Sequence, residues 1–266
     1  MGRYPSILKI LILAALPVIF TQCAKDKLPV NGDPLKFTYM TEEYPTFSYS
    51  ENGHLTGASV EILDSLFARL SLKIDHTVVA VSDWGTSYDK VLNTQETMMF
   101  SFPKTTANDS LFKWVGPIAT DTEIAVSLLK SSLVVTEVTD LNNYFTGVVD
   151  VYDNVQKLLN HGILRANILI YDNMTDLYKA LTDNREVQFI YITKAEHQRM
   201  IQSLGYQESI FAQPFTVHYE DLYYAFNKAT ADALITRFTE QLTLLKSSKQ
   251  ADGSSVYDKI LSRYHL

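Results

Sequence analysis

The sequence predicts an α/β fold, and three observations support this prediction. The chain has 266 residues, of which 46% are hydrophobic and 20% charged, an ordinary globular composition with room for two modest domains. The segment Lys36–Leu70 changes from strand-like alternation to helical periodicity. Strand-like and helix-like segments then continue to alternate towards the C-terminus. In folds of this class, ligands bind beyond the carboxyl ends of the strands.

The first 22 residues are predicted to be a signal peptide. Met1–Lys9 is short and basic, and Ile10–Phe20 is an apolar run that reaches only about half of the roughly 20 residues needed to span a bilayer. Cys23, the single cysteine of the chain, follows closely, at a position that resembles a bacterial lipoprotein box. We expect lipidation of Cys23, with a plainly cleaved signal peptide as the alternative, and a polar tether over residues 23–35.

The segment Lys36–Leu70 is predicted to fold as a strand, a loop, a turn and a helix. Its first six residues alternate as a strand does, and Pro45 then enforces an extended loop. Asn52-Gly53 supplies the positive φ of a tight turn. The helix is expected to be capped by Ser59. Its buried face is expected to consist of Val60, Leu63, Leu66, Phe67 and Leu70.

The remaining elements are predicted from the same periodicities. Further strands are expected at residues 73–81, 97–102, 123–129, 141–151, 166–171, 186–192 and 215–226. Further helices are expected at residues 84–92, 155–159, 174–181 and 194–204, and in two C-terminal segments around 234–245 and 257–264.

Charge and motifs exclude several classes of function. The formal charge is −7, and it becomes −9 when residues 1–22, which hold two basic and no acidic residues, are removed; this acidity argues against binding of nucleic acid. No G-x-S-x-G, G-x-G-x-x-G, P-loop or H-E-x-x-H motif occurs. The six histidines show no mutual metal-ligand spacing, and no carboxylate pair stands out. Neither a cofactor, a metal nor an enzymatic activity is therefore expected.

Four blocks within Lys36–Tyr264 resemble one known family. EYPTFSY with ENGHLTGASVEIL, at residues 43–63, comes first, and KTTANDSLFKWVGPI, at 104–118, comes second; the segments 141–155 and 226–264 complete the series. In order and spacing they are similar to the extracellular solute-binding proteins of family 3, the polar amino-acid-binding components of ABC importers.

The resemblance implies a two-lobe periplasmic binding protein type II (Venus-flytrap) fold with two hinge crossovers. The first lobe is expected at residues 36–122 plus 226–266 and the second at 123–225, with hinges near 122–126 and 222–226. A small polar or amine-containing, amino-acid-like solute would bind between the lobes. The resemblance also implies a monomer in the periplasm or cell envelope, with an ABC permease of the inner membrane as partner.

Other functions on this fold stay open as alternatives. Cyclohexadienyl dehydratases resemble the family and use a carboxylate in the cleft as an acid. Some lytic transglycosylases carry such a lobe pair ahead of a catalytic domain, and membrane receptors use one for sensing. A stand-alone ligand-sensing lipoprotein is the corresponding alternative for this chain.

Two candidate site residues follow from departures from the family pattern. The arginine that grips a ligand carboxylate in the family corresponds to Asn108, and the aspartate that receives a ligand ammonium corresponds to Thr193. Lys104 and Lys194 are candidates to replace the missing cation, with an ordinary solvated lysine as the alternative for each. A free amino acid would therefore lack the family's usual partners for its carboxylate and its ammonium, unless other residues supply them.

A third departure lies at the turn that opens the first helix of the second lobe, which holds Tyr152 and Asp153. Helix N-termini favour anions. Asp153 is expected to cap this helix itself and to leave little room for an anionic ligand.

Residue types add further candidates near the ends of the first strands. Tyr44, Phe47, Trp84 and Phe102 could form an aromatic wall, although core packing explains each of them as well. Glu42 or Glu43 could attract a cation. With Ser101, Thr105 and Asn108 as neutral hydrogen-bond partners, the expected ligand is a neutral or cationic, partly flat solute. A cleft that binds nothing small is the alternative.

Overall fold

The computed structural model describes residues 32–149 and 154–266. Its strands are β1 Thr38–Thr41, β2 Tyr49–Glu51, β3 His54–Thr56, β4 Ala80–Val81, β5 Thr97–Pro103, β6 Phe112–Val126, β7 Thr146–Val149, β8 Ile168–Tyr171, β9 Phe189–Thr193 and β10 Phe215–Asn227. Its α-helices are α1 Ala58–Arg69, α2 Trp84–Asn93, α3 Asn154–Asn160, α4 Met174–Lys179, α5 Lys194–Leu204, α6 Asp232–Ser247 and α7 Val256–Arg263. A π-helical turn, Ala180–Asn184, continues α4.

Eight of these strands are hydrogen-bonded in the order β4-β1-β5-β10-β6-β9-β7-β8. β1 is parallel to β4 and β5, and β7 is parallel to β8 and β9. The two parallel groups are joined by the long antiparallel pair of β6 and β10. The predicted α/β class is confirmed, because parallel strands joined through helices make up both halves of the molecule.

β6 and β10 each belong to both halves. Residues 222–226 of β10 pair with β5, whereas residues 123–126 of β6 pair with β9. The hydrogen bonding is therefore continuous across the molecule, while separate hydrophobic clusters lie on either side of this junction. The boundaries of the two lobes, at 122/123 and 225/226, stay a prediction.

The core of the first half is rich in aromatic residues from both ends of the chain. Phe238 of α6 lies edge-on to Phe226 of β10, with 5.7 Å between ring centroids, and 5.9 Å from Phe67 of α1. The same cluster contains Phe37 and Ile260. Burying one such side chain contributes about 1.5–3 kcal/mol, so the two C-terminal helices are integral to the first half.

The second half has a core on each face of its strands. Tyr178 and Phe211 belong to the cluster beneath α4 and α5, and Leu158 of α3 packs with Phe189 and Tyr191 on the opposite face. Helices on both faces leave the strands β7 and β9 almost fully buried, as is usual for parallel strands.

The start of α1 differs from the prediction. The turn at Asn52-Gly53 is confirmed, with φ of 52° and 78° between the paired strands β2 and β3. Gly57, and not Ser59, is the N-cap of α1, so the predicted cap was wrong. Gly57 has φ 121°, and a Cβ there would lie 2.3 Å from the carbonyl oxygen of Phe47. Only glycine fits this close approach.

Several predicted strands have different extents. The strand expected at 141–151 is reduced to β7 among the described residues, because Val138–Asn143 forms a 3₁₀ helix. The strand expected at 73–81 is reduced to β4, because His76–Val78 forms a 3₁₀ turn whose N-cap Asp75 accepts a hydrogen bond from the backbone N–H of Thr77 at 2.9 Å. The strand expected at 123–129 is not a separate strand. Residues 123–126 are the last part of the longer strand β6.

Several predictions concern residues outside the described ranges: the signal peptide 1–22, Cys23 with most of the tether, and Tyr152 and Asp153. The described residues begin at Gly32. Pro34 is buried, and its carbonyl accepts a hydrogen bond from Tyr39 Oη at 2.7 Å. No helix among the described residues is both long and apolar enough to cross a membrane.

Candidate functional site

A group of carboxylates surrounds one lysine where the loop after β1 meets β6 and β10. We call it the carboxylate cluster; it consists of Glu42, Asp121, Glu123 and Glu220, with Lys157 of α3 among them. It lies at the junction of the two halves and beside the carboxyl end of β1. Both features match the place where ligands bind in open α/β folds.

The two crossover strands bring three of these carboxylates together. Asp121 and Glu123 are two residues apart on β6 and therefore point to the same face. Glu220 of β10 stands directly opposite Asp121 in the antiparallel register. Like charges at opposed positions destabilise a strand pair, so this arrangement needs a compensating cation.

Lys157 supplies part of that compensation. Its Nζ lies 2.7 Å from Glu123 Oε1, and the Tyr191 hydroxyl donates a second hydrogen bond to the other oxygen of Glu123. Burial acts to raise the pKa of Glu123, but the hydrogen bonds from Lys157 and Tyr191 outweigh it and lower this pKa. For Lys157, burial acts to lower the pKa, and the bond to Glu123 with the neighbouring carboxylates raises it. These two residues form a charged pair.

The other three carboxylates are less well compensated. Burial raises the pKa of Asp121, Glu220 and Glu42, and Lys157 lowers each of these values only in part. Asp121 is 2% exposed, and its Oδ2 accepts a hydrogen bond from Tyr44 Oη at 2.5 Å. One ammonium among four carboxylates leaves an excess of negative charge, which favours the approach of a further cation.

Trp84 is the exposed aromatic residue beside this region. It is 42% exposed at the first position of α2, which is capped by Asp83. Its ring stacks on Tyr88 and on Phe102, with centroid distances of 4.9 and 5.7 Å. Phe102 is buried, so the predicted aromatic wall is divided: Trp84 is partly exposed, and Phe102 packs against it in the core.

Phe47 lies in the core of the first half. Its ring is 1% exposed and packs at 5.0 Å from that of Tyr44. In this conformation it supports Tyr44 and does not line an open surface. Tyr44 itself is half-buried and faces Asp121.

The loop after β5 uses its polar groups internally. Asn108 accepts a hydrogen bond from the backbone N–H of Thr105 at 2.8 Å and donates one to the carbonyl of Pro103 at 3.0 Å. Lys104 forms an ion pair with Asp109 at 2.9 Å and lies over the ring of Trp114. The structure thus gives Asn108 a role in closing the loop. Ligand contacts by Asn108, Thr105 and Lys104 stay predictions.

Ser101 and Thr193 also have internal partners. The hydroxyl of Ser101 is buried and lies 2.9 Å from that of Ser59 and 3.2 Å from that of Ser48. Thr193 is the N-cap of α5, and its Oγ1 accepts a hydrogen bond from the Glu196 N–H at 3.2 Å. Lys194 is exposed beside it. Contact of these residues with a ligand stays a prediction.

The carboxylate cluster itself was missed by the sequence analysis, apart from Glu42. The statement that no carboxylate pair stands out is corrected by Asp121 and Glu123. The signal that could have revealed it was the pattern T-D-T-E-I, in which two acids alternate with other residues inside a predominantly apolar strand. Among the described residues, no group of three or more His, Cys, Asp or Glu has an arrangement that could hold a metal ion.

Comparisons with known proteins concern sequence families, curated proteins and solved structures. No family model matches the chain, and no curated protein matches it. Solved structures do match. Substrate-binding domain 2 of GlnP from Lactococcus lactis, in an open conformation, has a TM-score of 0.59 and 17% identity and covers 86% of this chain and 95% of that one.

Two further structures are similar in the same way. An ancestral arginine-binding protein bound to arginine has a TM-score of 0.56 and 15% identity, with 87% and 99% of the two chains covered. A histidine kinase sensor domain with similarity to periplasmic binding proteins has a TM-score of 0.59 and 11% identity, with 86% and 96% covered. Likeness at these identities concerns the fold. The chain has the two-lobe periplasmic binding protein type II fold.

Proposed function

We propose that the protein is an extracytoplasmic solute-binding protein that captures a small, amine-containing, amino-acid-like solute between two lobes for an ABC importer. The observation that carries the proposal is the carboxylate cluster at the junction of the two halves, in which Lys157 compensates only part of the negative charge. The similarity to substrate-binding domains supports a role in binding solutes.

Electrostatics favours a cationic group in this cluster. Two unit charges about 4 Å apart interact by about 4 kcal/mol at an effective dielectric constant of about 20. A ligand ammonium near Asp121, Glu220 or Glu42 would gain part of this energy, and it would hold those carboxylates in the ionised form. The exposed face of Trp84 can add a cation–π contact of about 0.5–2 kcal/mol.

An acidic ligand is disfavoured for two reasons. The carboxylate cluster repels a second negative charge, and Asn108 replaces the arginine that grips a ligand carboxylate in the family that the sequence resembles. Hydrogen bonds of a charged group contribute about 1.5–3 kcal/mol each, and the amide of Asn108 is engaged within its own loop.

The wider proposal includes location and partners. The signal peptide 1–22 would export the chain, and lipidation at Cys23 would hold it at a membrane, since stable attachment takes more than one acyl chain. Residues 36–122 with 226–266 would form one lobe and 123–225 the other. The protein would act as a monomer and present its closed form to a permease.

Calorimetric titration tests the ligand class. The mature protein is titrated with glutamate, glutamine, arginine, a diamine and an aromatic amine. We expect the cationic compounds to bind, and the Asp121→Asn and Glu220→Gln variants to bind them at least about tenfold more weakly. Asp172→Asn and Glu240→Gln, which change exposed acids, are the matched controls. Tight binding of glutamate with no effect of either cluster variant would overturn the proposal.

A sensing role is the second candidate function. It is favoured by the similarity to the histidine kinase sensor domain and corresponds to a stand-alone ligand-sensing lipoprotein. Uptake of the identified solute in cells with and without the protein separates the two functions. Import requires that uptake falls when the protein is removed, whereas sensing predicts unchanged uptake with an altered cellular response.

We propose binding without chemical conversion of the solute. A buried carboxyl with a raised pKa, such as Asp121, is also what the dehydratase alternative would use as an acid. The proposal therefore expects mass spectrometry to recover the bound compound unchanged after prolonged incubation. A product that forms with the wild-type protein and not with Asp121→Asn would favour the enzyme.

A further inference from the structure

A cavity of about 350 Å³ lies on the face of β6 opposite the carboxylate cluster. Thr122 and Ile124 line it, and they alternate along the strand with Asp121 and Glu123, so their side chains point away from the carboxylate cluster. α5 supplies another wall through Lys194. A water molecule takes up about 30 Å³ of liquid, so the cavity has room for a small organic molecule.

His197 of α5 contributes a buried imidazole ring to the lining of this cavity. The residue is only 2% exposed, and its ring stacks on Tyr178 and lies edge-on to Phe211 at 5.0 Å. Nδ1 lies 2.7 Å from Tyr178 Oη. No hydrogen bond to Nε2 is found within the described part of the chain.

The hydrogen bond to Tyr178 fixes the tautomer of this histidine. The Tyr178 hydroxyl is fully buried, and among the described residues Nδ1 is its one acceptor. A buried O–H that does not donate is costly, so Tyr178 donates to Nδ1 and the ring hydrogen resides on Nε2. Burial lowers the pKa of His197 to about 4, which keeps the ring neutral at neutral pH. Nε2–H is thus a fixed donor on a residue that lines the cavity.

Two opposite charges complete the lining. Lys194 is one of the lining residues, and no ion pair to its ammonium is found among the described residues. Glu208, which also lines the cavity, is a carboxylate that accepts a hydrogen bond from Gln198 Nε2 at 3.1 Å. Its remaining lone pairs are available to a ligand donor. Cation, neutral donor and anion therefore surround one small space that has Phe211 on its apolar side.

We propose that this cavity is a second ligand site, which binds a small zwitterion that carries a carboxylate and an ammonium. The carboxylate accepts hydrogen bonds from His197 Nε2–H and Lys194 Nζ, and the ammonium donates to Glu208. The site lies on the face of β6 opposite Asp121 and Glu123, although Lys194 also lines an adjoining pocket with Asp121. Its existence does not depend on which solute binds between the lobes.

Histidine NMR with short zwitterions tests the proposal. The probes are glycine, β-alanine and γ-aminobutyrate, with propionate and propylamine as analogues that lack one of the two charges. At least one zwitterion should shift the ring signals of His197 saturably and bind at least about tenfold more tightly than propionate or propylamine. Lys194→Gln and Glu208→Gln should each weaken its binding by about tenfold.

Controls test the specificity of these effects. Lys228→Gln and Glu240→Gln change exposed charges elsewhere, and both should leave zwitterion binding at His197 unchanged. His197→Phe keeps a packed ring and should remove the calorimetric binding component that Lys194→Gln and Glu208→Gln weaken. The proposal is overturned if no zwitterion shifts the His197 signals, if propionate or propylamine binds as tightly, or if binding survives in both Lys194→Gln and Glu208→Gln.

Discussion

The hydroxyl of Tyr44 donates a hydrogen bond to the buried carboxylate of Asp121, with 2.5 Å between the oxygens. The bond joins the loop after β1, which also holds Glu42 of the carboxylate cluster, to crossover strand β6.

Removing this hydroxyl should destabilise the protein. Tyr44→Phe leaves the Asp121 carboxylate buried without its side-chain donor, which costs about 1–3 kcal/mol. Chemical denaturation should show this loss in the free energy of unfolding. Tyr219→Phe, at a tyrosine that is 68% exposed, is the control and should have little effect. Equal losses in the two variants would contradict the importance of the Tyr44–Asp121 bond.

Removing the lysine of the cluster should have opposite effects on stability and on ligand binding. Lys157→Met removes the lysine partner of buried Glu123, which keeps the Tyr191 hydroxyl and the imidazole of His161, with Nε2 3.6 Å from Glu123 Oε2. Because these partners remain and the lysine is partly exposed, we expect a loss of about 1–3 kcal/mol, below the 3–5 kcal/mol of a fully buried pair. The added negative excess should strengthen binding of a cationic ligand. Denaturation and calorimetry measure the two effects, and Lys179→Met, at an exposed lysine, is the control. Weaker binding of cations in Lys157→Met would contradict this account.

The raised pKa of Asp121 predicts a pH dependence of stability. Its folded-state pKa lies above the ordinary 3.8, so the folded state binds the proton more tightly than the unfolded state does. This contribution is fully present below pH 3.8 and is lost as the pH rises through the folded-state pKa. Asp121→Asn should remove that part of the pH dependence and should be at least as stable as the wild type at neutral pH.

The measurement is urea denaturation at a series of pH values. The contribution of Glu123, whose folded-state pKa is lowered, has the opposite sign: it is present above the ordinary value and is lost as the pH falls through the folded-state pKa. Glu123→Gln should therefore flatten the acid limb of the stability curve. If Asp121→Asn follows the wild-type curve throughout, the assignment of the raised pKa is wrong.

Two glycines with positive φ offer a matched test of close packing. A Cβ at Gly57, where φ is 121°, would lie 2.3 Å from the carbonyl oxygen of Phe47, whereas a Cβ at Gly253, where φ is 79°, would meet no atom within 4 Å. Gly253→Ala should show backbone strain alone, about 1 kcal/mol. Gly57→Ala should cost more, because the backbone of Phe47 must also move. Equal changes in thermal unfolding would contradict the steric argument.

The membrane anchor is tested in cells. Cys23→Ser removes the proposed site of lipidation and should move the protein from the membrane fraction to the soluble fraction after export. Immunoblotting of fractionated cells measures this change. A wild-type protein that is already soluble after export would contradict lipidation and leave the cleaved signal peptide.

Elements with strong local signals were predicted well from the sequence. α5 spans Lys194–Leu204 as expected, because Thr193 caps its start and Gly205 in a left-handed conformation ends it. β10 was predicted to within one residue. The short β4 was overestimated, since the local hydrogen bond of Asp75 competes with strand pairing there.

The site was harder to predict because it depends on pairing between distant segments. Nothing near Asp121 in the sequence indicates that Glu220 lies opposite it in the strand register. Lys157, which interacts with both, is contributed by helix α3. Conversely, Phe47 and Asn108 have residue types that suit a binding site, yet tertiary packing and loop closure use their side chains. A sequence supplies residue types, whereas the strand register decides which of them meet.

The distribution of the hydrophobic clusters along the chain has a consequence for the order of folding. The clusters around Tyr178 and Tyr191 use only residues between Ile124 and Val217, whereas the cluster that contains Phe37 also needs Phe238 and Ile260. A chain that emerges N-terminus first can therefore complete the second half before the first, because the core of the first half also needs α6 and α7, which emerge last. During that interval β1 and β5 lack their partner β10, so the nascent N-terminal segment is the part of the chain most in need of a chaperone.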